Sequence, residues 1–268
     1  MNKEDIVKRL LEKKQYDFED LVDIMKLLRG EGGCPWDREQ THVSIRNNLI
    51  EETYEVIEAI DTENPTLLRE ELGDVLLQVV FHAQIAEEEK QFVMAEVTTE
   101  ICQKLIHRHP HIFADVNVAD SEEVLKNWEA IKSDEKSRKT ITDKLNAIPH
   151  MLPALMRASK VGKKASCFDF PDTESVVDKI SEELVEVSES METGRKELIS
   201  EEIGDLLLSI TSLCRKLDID AEEALNRATD KFIARFSEVE NEIIAQKKDI
   251  KNCSIEELDA IWEKNKKK

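Results

Sequence analysis

Glycine and proline are scarce in this chain, 7 and 6 among 268 residues. Together that is roughly 5%, where average usage gives about 12%. Sheet proteins place these residues at nearly every reversal, so an all-β or doubly wound α/β fold is not expected. Long apolar runs are missing too: no stretch of 18 or more such residues occurs, which leaves no candidate for a membrane-spanning helix. The opening MNKEDIVKRL carries charges where a signal peptide has its apolar segment. The five cysteines, Cys34, Cys102, Cys167, Cys214 and Cys253, are scattered and form no CxxC pair. An odd, dispersed set reads as reduced thiols of a cytoplasmic protein rather than a disulfide framework or a zinc site. Basic residues fall short as well, 38 Lys and Arg against 58 Asp and Glu, for a formal charge of −20. Such a body repels phosphate backbones, so a nucleic-acid polymer is not an expected partner. Neither Gly-rich phosphate-loop motif is present, and no Ser/His/Asp or Cys/His set stands out.

What is abundant is charge, at 36% of residues, beside 40% hydrophobic residues. A surplus of Glu, Lys, Leu and Ile favours long helices, and the expected fold class is all-α. The chain also repeats itself. EETYEV at 51–56 returns as EELVEV at 182–187, and EELGDVLLQ at 70–78 returns as EEIGDLLLS at 201–209, both at an offset of 131. A shared offset, with Gly73 matched by Gly204, marks a duplicated unit. The expected organisation is two helical-bundle domains, 1–135 and 151–268, joined by a polar linker at 136–150.

Periodicity and caps predict helices over 17–29, 41–60, 66–89, 94–107 and 122–135 in the first half. Asn64–Pro65 stops the second of these, and Ser121 is the expected cap of the last. In the second half helices are expected near 153–164, 173–192, 195–217, 221–247 and 255–266. Asp220 with Glu223 and Ser254 with Glu257 are capping-box signals for the last two.

Glu52 and Glu55 share one helix face, and Glu71 and Asp74 repeat the spacing on the next helix. The second half carries the same four acids as Glu183, Glu186, Glu202 and Asp205. Packed side by side, such carboxylates repel, and a cation offsets that cost. All-oxygen ligands select hard ions, Mg²⁺ or Mn²⁺ before zinc or copper. Apolar runs directly after Asp74 and Asp205 put the acids at the border of the buried stripe, which a merely solvated helix face does not require. Gly73 and Gly204, unfavourable inside a helix, are expected to admit a neighbouring helix or a ligand.

A cationic set accompanies the acids. Lys231 and Arg235 are spaced to grip phosphate oxygens, as are Lys104 and Arg108 in the first half. Trp262 with Lys266 is mirrored by Trp128 with Lys132, a pairing suited to a stacked base and a nearby anion. Lys179 stands one turn before Glu183, where the first half has Asn48. His107, His109 and His111 alternate around Pro110 without sharing a helix face, and read as loop packing rather than a zinc site. The lone ExxH, Glu39–His42, is too little for a di-iron bundle.

GCPWDREQTH (33–42), EETYE (51–55), EELGDVLLQVVFHA (70–83), HRHPHIF (107–113) and NWEAIK (127–132) closely resemble the MazG family of nucleoside triphosphate pyrophosphohydrolases. The resemblance covers nearly the whole chain, and EExxE followed by ExxD is the signature of the all-α NTP pyrophosphatase superfamily. It implies four-helix cores, homodimers and Mg²⁺ dependence. The implied activity is hydrolysis of NTPs and dNTPs between the α- and β-phosphates, for nucleotide-pool cleaning. Carried onto this sequence, the implied metal ligands and catalytic acids are Glu183, Glu186, Glu202 and Asp205, with Glu52, Glu55, Glu71 and Asp74 as the first-copy set. The implied nucleotide contacts are Lys179, Glu182, Lys231, Arg235, Trp262 and Lys266. Thr229 departs from the family pattern, which has Asn before KFxxRF. The competing reading is a helical scaffold that senses nucleotides without turning them over. Retention of all four acids in both copies argues against it, because binding alone tolerates their loss.

Overall fold

The structure, a computed structural model, describes residues 2–135 and 140–265. Among them there are helices and no strand. The chain divides into two compact units, 1–132 and 133–268.

Unit 1 runs through α1 (Lys3–Glu12), α2 (Phe18–Arg29), α3 (Pro35–Glu39), α4 (Arg46–Asp61), α5 (Pro65–Glu88), α6 (Met94–Arg108), α7 (Pro110–Phe113) and α8 (Ser121–Glu135). Its centre is the α4–α5 hairpin, with α2 packed on α5. The hairpin turns at Glu63, which takes a positive φ of 49°. Asn64 then caps α5 by accepting from the Thr66 and Leu67 amides, with Pro65 at the first helical position. Met25, Ile45, Val80, Phe81 and Ile85 form the buried cluster, each fully buried side chain of this kind contributing about 1.5–3 kcal/mol. Beneath α1, the fully buried Asp20 takes Lys13 at 2.5 Å and Arg9 at 3.3 Å. The Lys13 hydrogen bond leads in holding its carboxyl below the ordinary aspartate range.

Unit 2 contains α9 (Ile141–Asn146), α10 (Ala154–Lys164), α11 (Thr173–Thr193), α12 (Lys196–Lys216), α13 (Ala221–Ala245) and α14 (Ile255–Asn265). The α11–α12 hairpin is its centre, flanked by α10, while α14 lies on α13. Here the hairpin turns at Gly194, φ 68°, the left-handed conformation in which glycine avoids the Cβ penalty. Val239, Ile243 and Ile261 make a second buried cluster, against which Trp262 packs.

Differences from the sequence expectation have local causes. The helix expected from residue 41 begins at Arg46, because Thr41 and Ser44 exchange hydrogen bonds of 2.9 and 3.2 Å between hydroxyls and amides. Asp120 rather than Ser121 caps α8, accepting from the Glu123 amide at 2.9 Å. Within 136–150, residues 136–139 lie outside the described set, and α9 follows behind a Thr140–Asp143 capping box. The α1 helix, capped by Asn2, had no counterpart in the sequence pattern.

Candidate functional site

Each hairpin gathers carboxylates from both of its helices. In unit 1, oxygens of Glu52, Glu55 and Glu71 lie within 4.8 Å of one another; in unit 2, those of Glu183, Glu186 and Glu202 do the same. Three of the four acids expected in each copy are therefore brought together. The fourth stands beside them: Asp74 acts through its charge on Glu52 and Glu71, and Asp205 lines one cavity with Glu183 and Lys179. Glu71 and Glu183 are buried.

The two sets differ electrically. In unit 1, burial raises the Glu52 and Glu71 carboxyls above the glutamate range, and the neighbouring carboxylates push them further. Unit 2 supplies its own cation. Lys179 Nζ lies 2.9 Å from Glu182, 2.9 Å from Glu183 and 4.0 Å from Glu186. Its hydrogen bond to Glu182, then that to Glu183, raises the Lys179 ammonium above its ordinary range. Glu186 remains raised, by burial first and despite Lys179. The second oxygen of Glu183, Oε2, is buried without a hydrogen-bond partner. A buried orphan carboxylate oxygen, surrounded by further carboxylates, fits a hard divalent cation.

The cavity that begins at Lys179, Glu183 and Asp205 has a volume of about 550 Å³, within the range of small-molecule sites. It extends along α12 past Ser209 and Ser212 beneath the 165–171 segment, whose Phe168 and Phe170 join its lining. That segment is tied to α12. Arg215 holds Asp169 through two bonds of 2.8 and 2.6 Å, and Lys216 reaches Asp169 at 3.4 Å and the Phe170 carbonyl. The Arg215 guanidinium leads in keeping the Asp169 carboxyl far below the aspartate range.

The cationic and aromatic residues are placed differently. Lys231 and Arg235 sit on α13, and among the described residues neither has a hydrogen bond or ion pair to the acidic set. Trp262 is half-buried, its ring 5.2 Å from that of Phe232. Lys266 lies outside the described residues. In unit 1, Trp128 is flanked by Arg108 at 5.3 Å and Lys132 at 4.4 Å, while Lys104 pairs with Glu100 at 3.6 Å. Thr229 bonds back to the Leu225 carbonyl at 2.9 Å. Around Gly73 and Gly204, apart from their own helix backbone, no atom of the described residues lies within 4 Å of where a Cβ would stand, so no neighbouring helix among them accounts for either glycine.

Two features escaped the sequence pattern. His42 and His82 stack in parallel with their Nδ1 atoms 2.8 Å apart. Burial first, then the His42 charge, lowers the His82 imidazole below its usual range. Arg29 is buried against Phe81 and bonds Glu88 at 2.7 Å and the Asp37 and Gln40 carbonyls, which clamps the CPWD loop. His42 and His82 are 40 residues apart, and no spacing rule joins them.

Comparison with known proteins agrees with this duplication. The model of the MazG nucleotide pyrophosphohydrolase domain matches residues 40–113 and again 172–239. A nucleoside triphosphate pyrophosphohydrolase/pyrophosphatase MazG of Thermotoga maritima is 47% identical over 251 residues, 93% of this chain and 95% of the relative. A nucleoside triphosphate pyrophosphohydrolase of Escherichia coli is 43% identical over 255 residues, 92% and 96% of the two chains. One of Mycobacterium tuberculosis is 36% identical over 219 residues, covering 81% of this chain and 56% of the relative.

Proposed function

As a member of the MazG nucleotide pyrophosphohydrolase family, the chain is an enzyme that hydrolyses nucleoside triphosphates, and we propose that it does so with Mg²⁺, by cleavage between the α- and β-phosphates. The observation that carries the metal reading is the buried, unpartnered Glu183 Oε2 within a three-carboxylate set. Glu183, Glu186 and Glu202, with Asp205 beside them, would hold the ion, and Mn²⁺ suits the same oxygens. Held there, such an ion would supply neutralisation of phosphate charge and polarisation of the phosphoryl group.

The remaining chemistry belongs to side chains. Lys179 is positioned to leave its glutamate partners for the incoming phosphates, and Lys231 and Arg235 take the pyrophosphate end. A carboxylate of α11 accepts the proton of the attacking water. The water oxygen bonds to phosphorus, the bridging Pα–O–Pβ linkage breaks, and pyrophosphate leaves with the bridging electron pair. Each copy is a MazG-like domain, 1–135 and 151–268 about the 136–150 linker, and the second performs the turnover because it alone has Lys179.

Exposed Leu184, Val185, Ile203 and Leu207 on the α11–α12 hairpin, and Ile50, Tyr54, Leu72 and Leu76 on α4–α5, are apolar surface of the kind a partner chain covers. A homodimer is the proposed state, and sedimentation equilibrium should return twice the chain mass; a monomer at micromolar concentration contradicts it. The proposed setting is the cytoplasm, and no helix among the described residues is long and apolar enough to cross a membrane.

A phosphorus NMR time course tests the reaction. ATP with Mg²⁺ should yield AMP and pyrophosphate, and excess EDTA should stop turnover. ADP and orthophosphate as first products, or undiminished turnover in chelator, would overturn the reading.

A further inference from the structure

The segment that leads from α3 into α4 is fastened to the hairpin of unit 1 at two points of different chemistry. The first is Arg29 of α2, which donates to the Asp37 and Gln40 carbonyls and pairs with Glu88 of α5 at 2.7 Å. Burial pushes the Glu88 carboxyl up, but hydrogen bonds from Arg29 and Gln84 outweigh it and hold the group below the glutamate range. This fastening therefore keeps both of its charges through neutral and mildly acid pH. The second point is His42 against His82 of α5, both half-buried. Their planes are parallel within 5°, the ring centres lie 5.1 Å apart and the Nδ1 atoms 2.8 Å. The two distances differ by one ring width, so the rings lie end to end with the nitrogens aimed at each other. A metal ion does not fit between them, since each metal–nitrogen bond takes about 2.0 Å. One proton does: one Nδ1–H donates and the other lone pair accepts.

We propose that the His42–His82 pair is an acid-released latch: it holds Thr41–Ile45 and the first turn of α4 on the hairpin while one proton lies between the rings, and lets them go when both rings are protonated. The reason is a count of protons. Two neutral rings, or one neutral and one charged, present one N–H and one lone pair. Two imidazolium rings present two N–H groups and two positive charges head to head, and the contact becomes repulsive. Separated histidines each take a proton; the closed pair takes at least one fewer. Closure is thus complete above the ordinary histidine value of about 6.5 and weakens by about tenfold for each pH unit below it. Burial first, then the His42 charge, lowers the His82 imidazole, which has the same sign. Other charges stand on each element packed here: Lys26 and Arg29 on α2, Asp37, Arg38 and Glu39 on α3, Arg46 on α4, Glu87 and Glu88 on α5 and Glu96 on α6. Arg29 is bound to Glu88, Lys26 to Glu87 at 3.4 Å, and Glu96 accepts from the Val93 amide of its own helix start. Among the described residues, the charge that acts on His82 is that of His42. What the latch holds follows from its neighbours. Ile45, three residues on, is 2% exposed in the buried cluster, and α4 begins without a side-chain cap. Released, residues 41–45 pivot about the Gln40 carbonyl that Arg29 retains, and the first turn of α4 frays.

Amide hydrogen exchange of the full chain, corrected for the intrinsic effect of pH, tests the latch at about pH 7.5 and about pH 5.5, on either side of the histidine value. The Ile45 and Leu49 amides report it, since their bonds of 3.3 Å to the Thr41 and Ile45 carbonyls close this turn. Both should open about tenfold more at the lower pH, while amides of α2 and α5 stay protected. His42→Phe with His82→Phe keeps two rings and removes their protons, and its Ile45 and Leu49 amides should exchange alike at the two pH values. Should that variant fail to fold, nitrogen NMR of the wild-type imidazoles decides. The pair should titrate in two steps more than about one unit apart, the lower in step with the opening. Four results overturn the proposal. They are equal protection of Ile45 and Leu49 at the two pH values, an undiminished acid response in the double variant, a loss of protection shared by α5, or two histidines that titrate independently near about 6.5.

Discussion

At the scale of single residues, the carboxylates separate catalysis from stability. Glu183→Gln or Glu202→Gln keeps side-chain size while removing a charge from the proposed metal shell. Either should reduce kcat/KM by about a hundredfold or more, a loss of about 3 kcal/mol of transition-state stabilisation. Glu71→Gln should cost far less activity and raise the melting temperature of the metal-free protein, because burial and like charges already raise the Glu71 carboxyl and Asn48 stands where the second copy has Lys179. Steady-state kinetics and melting curves of Glu52→Gln, Glu71→Gln, Glu183→Gln and Glu202→Gln check both statements. Loss of turnover in Glu52→Gln with retention in Glu183→Gln would reassign the active copy. These acids were legible because helix spacing alone puts residues three apart on one face, and the repeat made chance unconvincing. Lys179 was legible from helix spacing alone, one turn before Glu183, since the first half has Asn48 in its place. The His42–His82 stack and the Arg215–Asp169 clamp were not, since each joins residues at least 40 positions apart through packing that a linear pattern does not encode. For Gly73 and Gly204, expected to admit a neighbouring helix or a ligand, no other helix among the described residues comes close.

Elements were read more securely than their ends. Long periodic segments such as α5 and α13 appear within a few residues of expectation, because an apolar stripe repeated over many turns has one buried solution. Short helices without such a stripe, α3 and α7, were not visible; each starts at a proline that fixes the first turn without periodicity. The contact of α10 with α12 shows how local an element's requirement can be. A Cβ added at Gly162 would stand 2.9 Å from Arg215 Nε, and Arg215 is held in place by Asp169. Gly162→Ala gains about 1 kcal/mol of helix propensity and forfeits about 1–3 kcal/mol to overpacking. A net loss of about 1 kcal/mol in denaturant unfolding is expected; a gain would show that Arg215 yields freely.

For the whole molecule, duplication has allowed two solutions to one problem. Unit 1 closes its hairpin with a phenylalanine in a five-residue buried cluster; unit 2 keeps two serines and an open space at the corresponding helix positions. The consequence is thermal. A hollow copy forgoes the packing that its filled sibling has, so calorimetry should resolve two transitions, the lower belonging to residues 133–268. Nucleotide with Mg²⁺ at about a hundred times its dissociation constant should add about 2.7 kcal/mol to that copy alone, lifting the lower transition by about 8 °C and leaving the upper one in place. A single transition that substrate does not move would contradict this. The half that does the chemistry is then also the half that wears out first, and its lifetime in a heated cell is set by how much nucleotide surrounds it.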